Sequence, residues 1–449
     1  LLARKLGPTN YGIWTLNFLI LSFSNIISFL GLNRGVSRII GYYRGQGKLG
    51  EINTIIGTSL TLGIGTAIFL SMILFLCSSS IANLFRISIL SWMLKVGAIS
   101  LLPITFLEIT GAVFQGFENI KLARIVNSFL PSLLWLVGVL FLMVSTNITL
   151  KKLTVVYLSC FLSAGIIGWI ICVYSKTIVF KTTRFSISMI KPLLQFCLPL
   201  FFFDILTLIR VNANTLLVGY FLTPHHVGIY NVALRIARLT GFILLGNMDI
   251  FTPLISKNLA SNNLVNPKIK ELYLRSAKWI FVFTSLMIVT LMLFSNLFLS
   301  VFGKYYVEGS AVLRLLLVGY LLYIIFGPTE AMNIALGNTK FVAAYTFIGS
   351  ASTIFLSLYL IPYMEINGAA ISMVISILLM KTIAFCKLQY HDKISLLKSK
   401  YFKLVIISLL SGGTCGLLIV NLLGNIFSAV FIFLICFSVI HFFILKMLN

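Results

Sequence analysis

The chain of 449 residues is 59% hydrophobic and only 10% charged, with a mean hydropathy of +1.06. This composition excludes an ordinary water-soluble protein, because such domains are about one quarter charged. Lys and Arg number 34 against 10 Asp and Glu, a net charge of +24. In a membrane protein such an excess of cations marks cytoplasmic loops, so it requires no nucleic-acid partner. The composition therefore predicts an all-α polytopic membrane protein.

Apolar stretches that could cross a bilayer follow one another along the chain. A membrane helix needs about 20 apolar residues. The predicted spans are roughly 12–33, 53–76, 96–116, 124–144, 154–175, 195–222, 228–249, 279–302, 310–335, 341–362, 368–386, 404–422 and 425–445. Residues 1–6 look like the end of another helix whose beginning is absent. We therefore expect about 14 transmembrane helices, the first of them truncated.

The loops between these spans predict the orientation in the membrane. Lys and Arg are concentrated in alternate loops, above all at 34–48, 176–191, 257–278 and 387–403. Loops rich in Lys and Arg remain in the cytoplasm. We therefore expect a multi-pass protein of the plasma (inner) membrane with both termini in the cytoplasm. These basic loops would also contact anionic membrane lipids.

An internal repeat is visible at an offset of 216 residues. Segment 6–14 (LGPTNYGIW) is identical to segment 222–230 (LTPHHVGIY) at four positions, and at a fifth the aromatic Trp14 aligns with Tyr230. Two copies on the same side of the membrane must be separated by an even number of spans, which predicts two six-helix lobes in a parallel pseudo-twofold repeat. The lobes would be 1–191 and 192–386, followed by an extra helix pair at 387–449. The same offset implies that roughly two dozen residues of the first helix precede the start of this sequence.

Cationic side chains within the spans require an explanation, because an arginine at the centre of a membrane helix costs about 2.5–3.5 kcal/mol. Asn231, Arg235 and Arg238 lie on one stripe of a predicted helix, and Arg210 and Asn214 are four residues apart on another. Such residues tend to face a wet cavity or a partner. We interpret these five residues as the wall of a cavity that binds an anionic substrate.

A structural interpretation competes with this one. The arginines could form ion pairs with acidic residues in the spans, namely Asp204, Asp249, Glu108 or Glu330. Arg314 and Lys381 lie near the ends of their spans, so we expect both to snorkel towards the surface.

Glu108, Asp204 and Glu330 are also candidates for ion coupling. A buried carboxyl group can carry a proton or coordinate Na⁺. A tertiary hydrogen bond explains these residues equally well. The seven cysteines stand alone and the four histidines include only one adjacent pair, so we expect no metal site and no cofactor.

Four short segments resemble one family of transporters. They are ARKLGP at 3–8, LVGYFL at 217–222 with VGIYNVAL at 227–234, FGKYY at 302–306, and INGAAI at 366–371. In their order and spacing the chain resembles the MOP exporter superfamily, specifically its polysaccharide and oligosaccharide-lipid flippases. That family has two six-helix lobes around a central cavity. Relatives with a similar GYFL segment often carry Asp where this chain has Asn214, which puts an acidic role there in doubt.

The resemblance implies a function without covalent chemistry, in a protein that is not an enzyme. It implies that a polyprenyl-diphosphate-linked oligosaccharide for surface polysaccharide is flipped by alternating access. The energy would then come from an ion gradient of H⁺ or Na⁺, from the membrane potential or from substrate turnover. The cationic stripe would then bind the diphosphate. Alternatives are a multidrug antiporter or a lipid II flippase of the same superfamily. A membrane glycan polymerase, or a receptor or scaffold, would belong to another class.

Overall fold

The computed structural model describes residues 1–144, 148–175, 184–242, 255, 267–390 and separate positions within 401–439. These residues form helices joined by turns, which confirms the all-α prediction. Several predicted features lie wholly or largely outside the described residues: Asp249, parts of the basic loops at 176–191, 257–278 and 387–403, the last two predicted spans, and the C-terminal helix pair.

The helices of the first half are α1 (Leu2–Phe29), α2 (Leu32–Gly45), α3 (Leu49–Leu84), α4 (Ser88–Ala98), α5 (Leu101–Gly116), α6 (Ile120–Arg124), α7 (Leu130–Val144) and α8 (Leu150–Tyr174), with a π-helical turn at Ile125–Phe129 between α6 and α7. Those of the second half are α9 (Ile187–Phe221), α10 (Pro224–Leu239), α11 (Pro267–Leu293), α12 (Ser295–Ser300), α13 (Ser310–Ile325), α14 (Thr329–Ala335) and α15 (Thr339–Tyr390), with a 3₁₀ turn at Lys304–Gly309.

Among the described residues, eight helical stretches are long and apolar enough to cross a membrane, and nine if the bent pair α4 and α5 is one span. Every predicted span between residues 12 and 386 overlaps a helix of the structure. Large apolar side chains point outwards from several of them, and Phe69, Phe141 and Phe355 are 64%, 75% and 72% exposed. Such a surface suits a hydrocarbon environment, which agrees with a multi-pass membrane protein.

The basic segment 34–48 differs from the prediction. It was expected as a loop, but residues 32–45 form the helix α2, which begins directly after a left-handed turn at Leu30 and Gly31. Its apolar residues Leu32, Val36 and Ile40 recur every four residues and are fully buried. The segment is therefore an amphipathic helix whose cations lie on its more exposed faces.

Helix α15 is a hairpin of two antiparallel segments. A straight helix of 52 residues would be roughly 78 Å long, more than twice the hydrocarbon thickness of a bilayer. The backbone breaks at Glu365, where φ is +51°. Side-chain hydrogen bonds then join the segments, from Ser352 to Ser376 at 3.0 Å and between Ser357 and Ser372 at 2.7 Å. The hairpin accounts for the two spans predicted on either side of Glu365.

The repeated segments 6–14 and 222–230 form equivalent turns. Helix α1 is interrupted at Gly7, where φ is +73°, and Pro8 follows as the first residue of the next helical segment. In the second copy, Leu222 is extended and Pro224 begins α10. Proline favours the first helical position because its missing N–H would lack a helical partner there anyway.

The two copies of this motif also contact each other. A methyl group on Gly12 would lie 1.8 Å from the carbonyl oxygen of Pro224, and one on Gly228 would lie 2.0 Å from that of Pro8. No larger side chain fits at either glycine without moving the backbone. Reciprocal contacts of this kind are what a two-fold relation between two copies produces. They bring the helical segment that follows the turn in α1 into direct contact with α10, and we call this contact the turn junction.

Candidate functional site

A cavity of about 560 Å³ opens between α9, α10, α13 and the α15 hairpin. Its lining includes Arg210, Arg235 and Arg238 together with Tyr320 and Tyr323. We call it the cationic cavity. Arg210 comes from α9, and Arg235 and Arg238 come from α10. The structure thus brings together three of the five residues predicted to bind substrate.

Helix α10 presents its polar residues with a fixed geometry. The Arg235 Nε–H donates a hydrogen bond to Asn231 Oδ1 at 2.8 Å, one helical turn away. Arg238 donates from Nη2 to the backbone carbonyl of Val211 on α9, and Tyr320 contacts the same guanidinium. Arg235 thus uses one donor and Arg238 uses two contacts to hold their positions, and a guanidinium has five N–H donors, so further donors are available to a ligand.

Arg210 is held less completely. Its Nε is buried and has no hydrogen-bond partner among the described residues. A buried donor without a partner costs roughly 1–3 kcal/mol, so a ligand that supplies an acceptor gains that energy back. Arg210 thus faces the cavity with unused bonding capacity.

Beside the cationic cavity lies a charged cluster that the sequence-based expectation for Lys381 missed. That residue was expected to snorkel to the surface, but it is only 4% exposed. Its Nζ donates to Thr329 Oγ1 at 3.2 Å and lies 3.6 Å from the centre of the Tyr323 ring. The expectation was wrong because the hairpin of α15 packs against α14 and encloses this end of the helix.

The charged cluster contains a carboxylate as well. The Tyr323 hydroxyl donates to Glu330 Oε2 at 3.4 Å, and the charges of Glu330 and Arg210 both act on the Lys381 ammonium. Within the described residues, the surroundings of the cationic cavity thus hold Arg210, Arg235, Arg238 and Lys381 against the single carboxylate of Glu330. The region is strongly positive, which suits an anionic ligand.

Asn214 and Asn231 were predicted to face the cavity, but neither lines it. Asn214 is buried, donates to the Ala369 carbonyl at 2.8 Å and accepts from Ser357 at 2.6 Å. It therefore joins α9 to both segments of the α15 hairpin. Asn231 is also buried and acts on the cavity indirectly, by holding Arg235.

A second cavity, of about 770 Å³, lies in the first half of the chain. We call it the aromatic cavity. Trp14 and Trp135 stack with ring centres 5.6 Å apart, and Tyr157 packs edge-on against both. Phe18 also lines this cavity, and so does Arg235 of the second half. Arg235 therefore belongs to both cavities, which are neighbours.

Of the predicted ion-coupling residues, Glu108 lies in the aromatic cavity and Asp204 lies near Glu108. Glu108 lines the aromatic cavity together with Asn25 and Asn127, whose side-chain oxygens are buried without partners among the described residues. Asp204 forms an ion pair with Arg34 at 3.0 Å, so its charge is already balanced. Its partner is thus a residue of α2 and not one of the arginines in the spans.

Sequence reasoning missed the tyrosines and the aromatic cluster. Tyr320 and Tyr323 are spaced by three residues on α13, a pattern that would place them on one face of a helix. In so apolar a chain that spacing is common and carries little information. Trp14, Trp135 and Tyr157 come from three helices distant in sequence, so no local pattern could have joined them.

Comparison with known proteins identifies the fold and a family. The family described as "Polysaccharide biosynthesis protein" matches residues 1–311. No curated protein matches the chain. The structure of the lipid II flippase MurJ in an inward closed conformation aligns with a TM-score of 0.76 at 15% identity, covering 100% of this chain and 98% of that one.

Two transporters of the MOP superfamily align as well. An inward-facing multidrug resistance transporter of the MATE family gives a TM-score of 0.72 at 19% identity, covering 85% of this chain and 90% of that one. A MOP superfamily transporter from Pyrococcus furiosus, described by the reverse polarity of its binding pocket, gives 0.57 at 18% identity, covering 85% and 88%. At these identities the likeness shows a shared fold, which agrees with the expected architecture.

Proposed function

The chain belongs to the family of polysaccharide biosynthesis proteins and has the fold of MOP-superfamily transporters, and from this premise we propose that it flips a polyprenyl-diphosphate-linked oligosaccharide across the cell membrane. The observation that carries the proposal is the cationic cavity, in which Arg210, Arg235 and Arg238 converge. Transport of this kind breaks no covalent bond, so the residues need only bind, orient and release.

A diphosphate is the part of such a substrate that arginines recognise best. The guanidinium group is planar, keeps its charge, and meets phosphate oxygens with two parallel hydrogen bonds. Arg235 and Arg238 are held by Asn231 and by Val211, so they lose little side-chain entropy when they bind. Arg210 supplies a donor that has no other partner among the described residues.

The two cavities supply space on both sides of Arg235. The cationic cavity would take the diphosphate, and the aromatic cavity extends from the same arginine into the first half. The lobes at 1–191 and 192–386 would rock about the bound head group while the polyprenyl tail remains in the bilayer. Both termini would lie in the cytoplasm, where the substrate is loaded, and the basic inner loops would contact anionic lipids.

We assign ion coupling to Glu330 and Glu108 in preference to Asp204. Glu330 lies beside Lys381 and the cationic cavity, where a change in its charge would alter substrate affinity directly. Glu108 lies in the aromatic cavity, within reach of an ion that enters there. Asp204 already has its counter-ion in Arg34. Either H⁺ or Na⁺ would serve these carboxylates.

Two related functions compete with this one. A multidrug antiporter for cationic compounds is disfavoured, because the cationic cavity repels such substrates. A lipid II flippase remains a real second candidate, since the MurJ fold covers the whole chain and lipid II shares the polyprenyl diphosphate. The lipid that accumulates when the gene is deleted separates the three functions: an oligosaccharide lipid, lipid II, or neither.

The direct test replaces Arg235 and Arg238 together by Gln. We expect export of the glycan to be lost while the protein still inserts into the membrane, because the diphosphate loses its charged donors. Surface glycan is measured by antibody or lectin, and insertion by immunoblot of membranes. Arg314→Gln is the matched control, since Arg314 donates to Ser295 and lines neither cavity. Normal surface glycan in the double variant would falsify the proposal.

A further inference from the structure

The turn junction brings the two halves together at one end of the molecule. The backbone of each turn contacts the backbone of the other, at Gly12 with Pro224 and at Gly228 with Pro8. Tyr306 adds a further link, because its hydroxyl donates to the Ala3 carbonyl at 2.9 Å. In this structure the two repeats are therefore closed against each other at this end, which the loop charges predict to be external.

One hydrogen-bonded chain leads from the turn junction to the cationic cavity. The Tyr11 hydroxyl of the first half donates to Asn231 Oδ1 of the second half at 3.4 Å. The same oxygen accepts the Arg235 Nε–H at 2.8 Å. Tyr11 and Asn231 are 6% and 5% exposed, so water competes little for these bonds. A single amide oxygen is thus shared between a residue at the junction and an arginine of the cavity.

This arrangement orients the guanidinium of Arg235. With Nε–H bound to Asn231, the plane of the group is set and the two terminal nitrogens can meet two oxygens of one ligand. Asn231 alone has rotational freedom about its side-chain bonds, and the hydroxyl of Tyr11 restricts that freedom from across the junction. Pre-ordering a binding group in this way raises affinity, because less entropy is lost on binding.

We propose that Tyr11 is a positioning residue through which contact at the turn junction raises the affinity of Arg235 for the substrate diphosphate. When the halves separate at this end, Tyr11 leaves Asn231, Arg235 loses its fixed orientation, and the diphosphate is released on the side that has just opened. By linkage, a bound diphosphate must favour the closed junction to the same extent. The inference rests on the proposed function, because it names what controls the affinity of that same cavity.

The test compares Tyr11→Phe with wild type in lipid nanodiscs, using geranylgeranyl diphosphate as the probe. Phenylalanine keeps the ring that packs edge-on against Tyr306, 6.5 Å away, and removes only the hydroxyl. One lost hydrogen bond of about 1 kcal/mol predicts a dissociation constant raised about fivefold. Tyr305→Phe, an exposed neighbour of Tyr306, is the matched control and should bind like wild type.

Asn231→Ala serves as a second background. Since Tyr11 acts only through Asn231, Tyr11→Phe should change affinity no further once Asn231 is Ala. Spin labels at Lys5 and Lys304, in a chain whose cysteines are replaced by Ala, report the junction itself. In wild type the diphosphate should shift the population towards the short distance, and in Tyr11→Phe this shift should be smaller.

Three outcomes would overturn the inference: wild-type affinity in Tyr11→Phe, an undiminished effect of Tyr11→Phe in the Asn231→Ala background, or an unchanged response of the spin labels. Arg235→Gln with Arg238→Gln is measured in parallel with the same probe. If this variant also binds like wild type, the proposed function fails. If the double arginine variant binds the probe weakly while Tyr11→Phe binds it like wild type, only the role of Tyr11 fails.

Discussion

The two halves share a backbone plan at their turns but differ in the chemistry of their cavities. The first half surrounds its cavity with stacked rings, Trp14 and Trp135 among them, and with Glu108. The second half surrounds its cavity with arginines and with tyrosines that contact charged groups. At the repeat offset of 216 residues, Leu19 and Ser22 stand where the second half has Arg235 and Arg238.

This difference separates the features that packing fixes in both copies of the turn from those that packing leaves variable. At the turn junction, Gly12 and Gly228 each pack against the backbone of the other copy, so neither position has room for a side chain. Two arginines of the cationic cavity are instead held by hydrogen bonds within the second half, to Asn231 and Val211. The cavity of the second half can therefore be cationic although the cavity of the first half is lined mainly by aromatic rings. The comparison yields three tests, beginning with the one of largest expected effect.

The turn junction should be equally intolerant in both halves. Gly12→Leu and Gly228→Leu should each prevent accumulation of folded protein, because the new side chain overlaps the backbone of the other half. Gly65→Leu is the control, since a Cβ there meets nothing within 4 Å. Folded protein is measured by size-exclusion chromatography in detergent. If one of the two variants accumulates as folded protein and the other does not, the two turns are not equivalent.

The cavities should not be interchangeable. Arg238→Gln should lower export roughly tenfold or more, because a hydrogen bond to a charged group contributes about 1.5–3 kcal/mol. Adding Ser22→Arg, the position equivalent by the repeat, should not restore export. Position 22 lies in the aromatic cavity, outside the group formed with Arg210. Surface glycan is the measurement, and recovery of export by the second arginine would show that only the total charge matters.

Replacement of the two glutamates should affect stability differently, with the smallest effects of the three tests. Glu330→Gln should lower the free energy of unfolding by about 1–3 kcal/mol, because buried Lys381 loses its counter-charge. Lys381→Met in the same chain should recover part of that loss. Glu108→Gln should leave stability unchanged or raise it, since burial disfavours the charge of Glu108 and nearby Asp204 adds a weaker repulsion. Thermal unfolding of the purified variants measures both, and a loss of equal size at Glu108 would contradict the contrast.

Much of the fold could be predicted because the bilayer imposes a strict length and composition on each span. The spans before residue 387 overlap helices of the structure, and the repeat located two turns that meet in space. The segment 34–48 was misassigned because its many cations suggested a loop, although its apolar residues recur with the period of a helix. Only the packing of α2 shows that this period, and not the charge, determines its structure.

The candidate site was predictable only where its residues share one helix. Asn231, Arg235 and Arg238 could be recognised together because helical spacing places them on one stripe. The same rule grouped Asn214 with Arg210 on the preceding helix, but the amide of Asn214 binds Ala369 and Ser357. Which face of a helix meets a cavity and which meets another helix depends on residues far away in sequence.

The sequence by itself determined that the chain is helical, spans a membrane and contains a repeat, because hydrophobicity, chain length and local identity are properties of neighbouring residues. Only the tertiary structure decided that Lys381 is enclosed, that two tryptophans stack in one cavity, and that Tyr11 and Arg235 share the oxygen of Asn231. These are contacts between helices. In an apolar chain nearly every helix face can pack, so the sequence of one helix does not specify its partner.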